Sequence, residues 1–233
     1  MSALVGRNPE KLRYNTDKEI GNIMKKIIKS DFSEFNHTAA VSKAEIYFVR
    51  HAESDSSVHD PILRPLTEKG LRDRALVTNF LLDKNIDCAF SSPYKRSIDT
   101  IADFAGRKGI EIKVIRDFRE HETISDSYSD EHYFPFIQKY WENTFYKVPG
   151  DESIHKLQKR NISALEKIIK AYKDKNIIIG THGMALSSII NYYDKTYGYQ
   201  NFLAMVKLKP WIVKMTFDGS VNTGIEYINL FTS

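Results

Sequence analysis

Two short apolar stretches of this chain run directly into a polar pair that ends in histidine. His51 follows Ile46-Tyr47-Phe48-Val49-Arg50, and His182 follows Ile177-Ile178-Ile179-Gly180-Thr181. A third apolar stretch leads into Ser91-Ser92-Pro93, just ahead of Arg96, and a fourth leads into Arg119-Glu120. A lone histidine is ordinarily structural, and a lone arginine is ordinarily a surface cation. Ligands of open α/β sheets bind outside the carboxyl ends of the strands. Four such ends on one sheet edge would therefore converge two imidazoles, the guanidinium groups of Arg50 and Arg96, and the carboxyl group of Glu120.

That set suits phosphoryl transfer. The group in flight carries negative charge on its oxygens, so catalysis is mainly positioning and charge stabilisation. Guanidinium forks match phosphate oxygens, and charge-assisted bonds are the strong ones. A helix opening near Arg96 would add oriented N–H groups. His51 would have to be neutral to attack as a nucleophile, and the nearby Arg50 and Arg96 disfavour its protonated form. Glu120 is placed to protonate a leaving alcohol and then to activate water.

The elements that must carry these residues follow from apolar periodicity. Glu45–Val49, Asn85–Phe90, Ile110–Ile115 and Asn176–Gly180 read as strands, as do Lys214–Phe217 and Gly224–Phe231. Thr67 suits the cap of a helix to about Asp83, with Leu71, Ala75, Leu76 and Phe80 apolar. Pro93 opens a second helix that Gly106 would end, Asp151–Tyr172 forms a third, and Gly183–Tyr193 a fourth. Strands alternating with helices predict an α/β fold, a three-layer α/β/α domain with a mostly parallel central sheet.

Residues 1–43 lack a β pattern. Ile20, Ile23, Met24, Ile27 and Ile28 predict one amphipathic helix there, in an N-terminal extension to a domain spanning 44–233. Residues 121–150 concentrate aromatic side chains with little periodicity, which could line a pocket or form a small core.

The 34 basic and 30 acidic residues form no long basic block, and Lys25, Lys26 and Lys29 read as a solvated helix face. Neither nucleic acid nor a membrane is expected as a partner. No apolar run approaches the roughly 20 residues of a membrane span, and the N-terminus has no signal-peptide stretch. The one cysteine, Cys88, reads as a core thiol and fits a reducing, cytoplasmic setting.

Val49-Arg50-His51-Ala52-Glu53-Ser54 resembles the Arg-His-Gly-Glu signature of the histidine phosphatase superfamily, which includes the cofactor-dependent phosphoglycerate mutases. Pro65-Leu66-Thr67-Glu68-Lys69-Gly70, Ser91-Ser92-Pro93-Tyr94-Lys95-Arg96, Phe118-Arg119-Glu120 and Gly180-Thr181-His182-Gly183 resemble its later elements in order. Gly150-Asp151-Glu152-Ser153 is loosely similar to its Gly-Glu-Ser element. The resemblance runs from about residue 44 to the C-terminus and implies a phosphoglycerate mutase-like fold with a variable lid at about 121–150. It implies a histidine acid-type phosphatase, a phosphoric monoester hydrolase acting on a small-molecule phosphate ester without cofactor or metal. His51 would be the phosphorylated residue, Arg50, Arg96 and His182 the phosphate pocket, and Glu120 the proton donor, with Glu122 a nearby alternative. Ser57 stands where many members place an asparagine on the phosphate.

Ala52 replaces the usual glycine, Ser56-Ser57 replaces a Trp-Asn pair of typical mutases, and the segments that hold a phosphoglycerate carboxylate have no clear match. These departures favour a phosphatase over the alternative of a phosphoglycerate mutase, and the presence of all five core residues disfavours a non-catalytic phospholigand-binding module on the same fold. A metal hydrolase built on His51, Glu53, Asp55, His59 and Asp60 is disfavoured, because Arg50 would sit beside the cation.

Overall fold

The computed structural model describes residues 43–122 and 130–231, the side chains of 130–133 excepted. The helix expected near residues 17–29, with its lysines, lies outside the described residues, as do residues 123–129 of the expected lid. Strand β1 is Lys43–Arg50, followed by helix α1, Glu68–Leu81. Then come β2 (Cys88–Ser91), α2 (Lys95–Lys108), β3 (Ile112–Val114) and a 3₁₀ turn at Arg116–Phe118. Helices α3 (Asp130–Glu142) and α4 (Ile154–Ala171) precede β4 (Ile177–Thr181). The chain closes through α5 (Gly183–Tyr193), α6 (Tyr199–Val206), β5 (Trp211–Asp218) and β6 (Val221–Ile228). No described helix is long and apolar enough to cross a membrane.

The six strands form one sheet in the order β3-β2-β4-β1-β5-β6. The first four are parallel, and the hairpin β5–β6 adds two antiparallel strands at one edge. Alternation along each strand divides the core. Ile46 and Phe48 join Ile177 and Ile179 beneath α3 to α6, whereas Tyr47 and Val49 join Ile178 beneath α1 and α2. Burial on both faces explains why β4 is apolar at successive positions rather than alternating. The three-layer α/β/α architecture is as expected.

Register places the two histidine-bearing ends side by side. β1 pairs with β4 so that Arg50 lies opposite Thr181, and the His51 N–H donates to Thr181 O at 3.1 Å.

Several boundaries depart from the sequence reading. Thr67 caps α1 as expected, accepting from Gly70 N at 3.0 Å. The inward face, however, is Gly70, Val77, Thr78 and Leu81, and Leu71 and Ala75 are exposed. A cause is visible at Gly70, where an added Cβ would lie 2.1 Å from Glu53 O. That close approach fixes which side of α1 faces the body. Helix α2 begins at Lys95 rather than Pro93, and it ends at Gly109, not Gly106. Gly109 takes the left-handed conformation (φ 65°) that terminates a helix, while Gly106 sits within the helix in open space. Cys88 opens β2, partly buried, its thiol pushed up by burial and then by Asp87, consistent with a core role.

Among the described residues, the aromatic side chains of the expected lid mostly pack against the core, Phe145 excepted. Ile137 and Tyr140 of α3 are fully buried, Tyr140 meets Phe136 and Tyr146 edge-on, and Trp141 packs near Tyr197 and Phe202.

The two glycines predict opposite outcomes. Gly70→Ala should lose about 1–3 kcal/mol through overpacking against fixed backbone. Gly106→Ala should gain roughly 0.5–1 kcal/mol from a better helix former. Urea unfolding of both variants checks this, and equal effects would contradict the close approach at Gly70.

Candidate active site

Arg50 and His51 leave the end of β1, and His182 leaves the end of β4 as the N-cap of α5. Arg96 enters from the first turn of α2, which starts four residues after β2 ends. All four side chains are buried. The His51 and His182 rings lie 5.3 Å apart between centroids.

Hydrogen bonds fix the His51 ring. Its Nδ1 lies 2.7 Å from Ala52 O, and its Nε2 accepts from Arg96 Nε at 3.2 Å. A carbonyl accepts only, and an arginine Nε–H donates only. The ring is therefore neutral, with its proton on Nδ1 and its lone pair on Nε2. Burial holds its pKa well below the ordinary histidine range, and the positive charges of Arg96 and then Arg50 lower it further. His182 is lowered in the same way, by burial first and then by Arg96 and His51. Its Nε2 lies 2.6 Å from Ser92 Oγ, which also accepts from Tyr94 N at 3.2 Å. His182 Nδ1 is buried with no hydrogen-bond partner among the described residues.

The arginines are compensated by carbonyls. Arg50 Nη1 donates to Met205 O (2.8 Å), Val206 O (3.0 Å) and Leu208 O (2.9 Å), at the C-terminal end of α6. That end carries the negative pole of the helix dipole. Arg96 Nη1 donates to Pro61 O at 2.6 Å, and its guanidinium lies 4.8 Å from the Tyr94 ring centroid.

Glu120 reaches the same place from the loop after the 3₁₀ turn. Its carboxyl oxygens accept from Met184 N (3.2 Å) and Ala185 N (3.0 Å), in the turn that His182 opens, and from His121 N (2.9 Å). Glu122 lies elsewhere. It is exposed and forked onto Arg119 at 2.6 and 3.1 Å, and that bond lowers its pKa. Ser57 is exposed, and its hydroxyl donates to Asp55 Oδ1 at 2.7 Å, outside the bonds that tie the cluster together.

The remaining candidates have local roles. Glu53 accepts from Thr67, Asp55 from Ser57, and Asp60 from the Ile62 and Leu63 amides. No three His, Cys, Asp or Glu side chains form a metal-holding group among the described residues. His121 is buried, bonded through Nε2 to Glu152 O and edge-on to Tyr140.

The sequence pattern of the histidine phosphatase superfamily (branch 1) matches residues 46–210. The chain belongs to this superfamily. Phosphoserine phosphatase 1 of Hydrogenobacter thermophilus is 26% identical over 157 residues, 62% of this chain and 74% of that protein. The phosphatase PhoE of Bacillus subtilis is 25% identical over 152 residues, 62% of this chain and 75% of that protein. The fold is shared with a mycobacterial glucosyl-3-phosphoglycerate phosphatase, at TM-score 0.62 and 14% identity, over 79% of this chain and 97% of that one. It is also shared with phosphoserine phosphatase of Entamoeba histolytica, at TM-score 0.61 and 20% identity, over 81% and 100%.

In this superfamily member, Ser92 and Lys209 border the cluster although sequence pattern singles out neither. Ser92 was visible only as part of a motif, and its contact with His182 spans 90 residues. Lys209 follows Leu208, whose carbonyl holds Arg50, and precedes the strand that pairs with β1. Its pKa is lowered, by burial first and then by Arg50, with Glu53 opposing. Only its position between Leu208 and Pro210, an odd place for a charge, hinted at it.

Both histidines have folded pKa values below the ordinary value, so the unfolded chain binds more protons. Stability should therefore be full at pH 7 and fall as pH drops below about 6.5, by up to about 1.4 kcal/mol per pH unit for each histidine. Replacing His51 by Asn should remove one proton from that slope. Urea titrations between pH 7.5 and 5.5 check it; an unchanged slope in the variant would contradict the buried neutral ring.

Proposed function

We propose that the chain hydrolyses small phosphate monoesters through a phosphohistidine formed on His51 Nε2. The observation that carries this reading is the hydrogen bond from Arg96 Nε to that nitrogen. It leaves the lone pair on the nitrogen that faces a phosphate-binding side chain.

The phosphoryl group enters between His51 and His182, and Arg96 transfers its donors from the ring to phosphate oxygens. Nε2 attacks phosphorus in line with the leaving oxygen; the N–P bond forms as the P–O bond breaks. Arg96, Arg50 and His182 stabilise charge on the equatorial oxygens. Glu120 gives its proton to the leaving alkoxide. The Glu120 carboxylate then takes a proton from water as that water attacks phosphorus and the N–P bond breaks, which releases phosphate and regenerates both groups. Ala52 O keeps the Nδ1 proton in place throughout. A histidine that stays neutral below its usual range keeps turnover going in mildly acidic solution, as an acid-type phosphatase requires.

The domain for this chemistry is residues 44–233, with 1–43 as an extension. Lys209 supports a substrate that carries a second anionic group on its leaving alcohol. It makes no hydrogen bond or ion pair among the described residues and lies near Arg50, Arg96 and Arg64, with Glu53 as an opposing charge. The Entamoeba phosphoserine phosphatase has been seen with phosphoserine and with 3-phosphoglyceric acid, both carboxylate-bearing.

His51→Ala should abolish turnover and remove an acid-labile phosphoenzyme trapped by rapid quench. A phosphoenzyme on any other residue would sink the mechanism. Lys209→Met should raise KM for phosphoserine or 3-phosphoglycerate by about tenfold, equivalent to ~1.4 kcal/mol, and leave KM for p-nitrophenyl phosphate unchanged. Equal changes on all esters would rule out a contact with the second anion.

A further inference from the structure

The loop that carries Glu120 has little regular structure of its own. Beyond the 3₁₀ turn at Arg116–Phe118 it runs without helix or strand through Glu122. A proton donor on such a segment must be held by something else, because an acid displaced by about 1 Å loses its geometry with the leaving oxygen.

One side chain of α4 supplies the hold. Arg160 Nη1 donates to Asp117 O at 2.6 Å and to Arg119 O at 2.8 Å. Its Nη2 donates to Glu120 O at 2.8 Å and to Glu152 Oε2 at 2.7 Å, and its Nε donates to Glu152 Oε1 at 2.8 Å. A guanidinium has five N–H donors in a fixed plane, and here each has its own acceptor. Glu152 completes the frame. Its backbone N–H donates to Glu122 O at 2.8 Å, and its backbone carbonyl faces His121 Nε2. The carbonyls of residues 117, 119 and 120 are thus tied to Arg160, and residues 121 and 122 are tied to Glu152. The Glu152 and Arg160 side chains are 1% and 10% exposed, so the pair is nearly desolvated and each charge needs the other.

We propose that Arg160, oriented by Glu152, is the positioning residue for the proton donor. It touches no reacting atom. It fixes the backbone on both sides of Glu120 so that the carboxyl stays at the opening turn of α5, beside His182. The proposal rests on Glu120 being the general acid. Lysine cannot replace this arginine, because an ammonium has three donors and no planar fork.

The test uses two esters and the full chain. An alkyl phosphate such as phosphoserine needs a proton on its leaving oxygen, whereas p-nitrophenyl phosphate needs little. Arg160→Lys should lower kcat on the alkyl ester by about 10- to 100-fold. KM and the p-nitrophenyl phosphate rate should change by less than about threefold. Glu120→Gln should show the same selectivity, and the double variant should be no slower on the alkyl ester than Glu120→Gln alone. Should Arg160→Lys fail to fold, as judged by circular dichroism, Glu152→Gln gives the same reading, because it keeps the side-chain shape and loosens the fork. Equal losses on both esters in the Arg160 or Glu152 variant, with Glu120→Gln selective, would overturn the clamp and leave the acid assignment standing. Absence of selectivity in Glu120→Gln itself would overturn both.

Discussion

Arg50, His51, Arg96 and His182 are buried together at the carboxyl ends of β1 and β4, with the first turn of α2 alongside. Four nitrogen-bearing side chains cannot all be cationic in so small a space. The arginines keep their charge because guanidinium does not give up its proton in proteins. The histidines must then be neutral, and burial pushes them the same way. Much of the surrounding chain serves that arrangement. Helix α6 ends where its carbonyls meet Arg50, Pro61 turns its carbonyl to Arg96, and the Ala52 carbonyl accepts from His51 Nδ1–H. The outcome is one imidazole with an available lone pair in a pocket of positive charge. That is the state a nucleophile toward an anionic phosphate requires.

The parts legible in the sequence are those set by short-range pattern. β1 and β4 could be read because buried strands of a parallel sheet are short apolar runs, and their polar ends stood out. Helix α5 was bounded at Gly183 and Tyr193 as found, since it follows directly on a strand end. Thr67 was readable as a cap because the capping bond is local, spanning only to Gly70. Membership of the histidine phosphatase superfamily was legible for the same reason, since its motifs lie at strand ends.

What was missed depends on contacts distant in sequence or on masked local signals. Pro135 lies inside α3, and an interior proline reads as a helix breaker, so the aromatic segment looked irregular. Helix α6 has eight residues, too few for a clear period, yet it anchors Arg50. The inward face of α1 is not legible in its apolar count, because a close backbone approach between Gly70 and Glu53 decides which side turns inward. Arg160 bonds to carbonyls 40 to 43 positions away, and no spacing rule reveals that. The different settings of Glu120, on the Met184 and Ala185 amides, and Glu122, on Arg119, are likewise not legible in their spacing.

The protonation state of His51 is the most direct point of attack. Long-range ¹H–¹⁵N correlation spectra of the histidine side chains at pH 7, assigned through a His51→Asn variant, report it ring by ring. The buried geometry predicts a neutral His51 with its proton on Nδ1 and a bare Nε2, persisting as pH falls below 6.5. An imidazolium at pH 7, or a proton on Nε2, would contradict it.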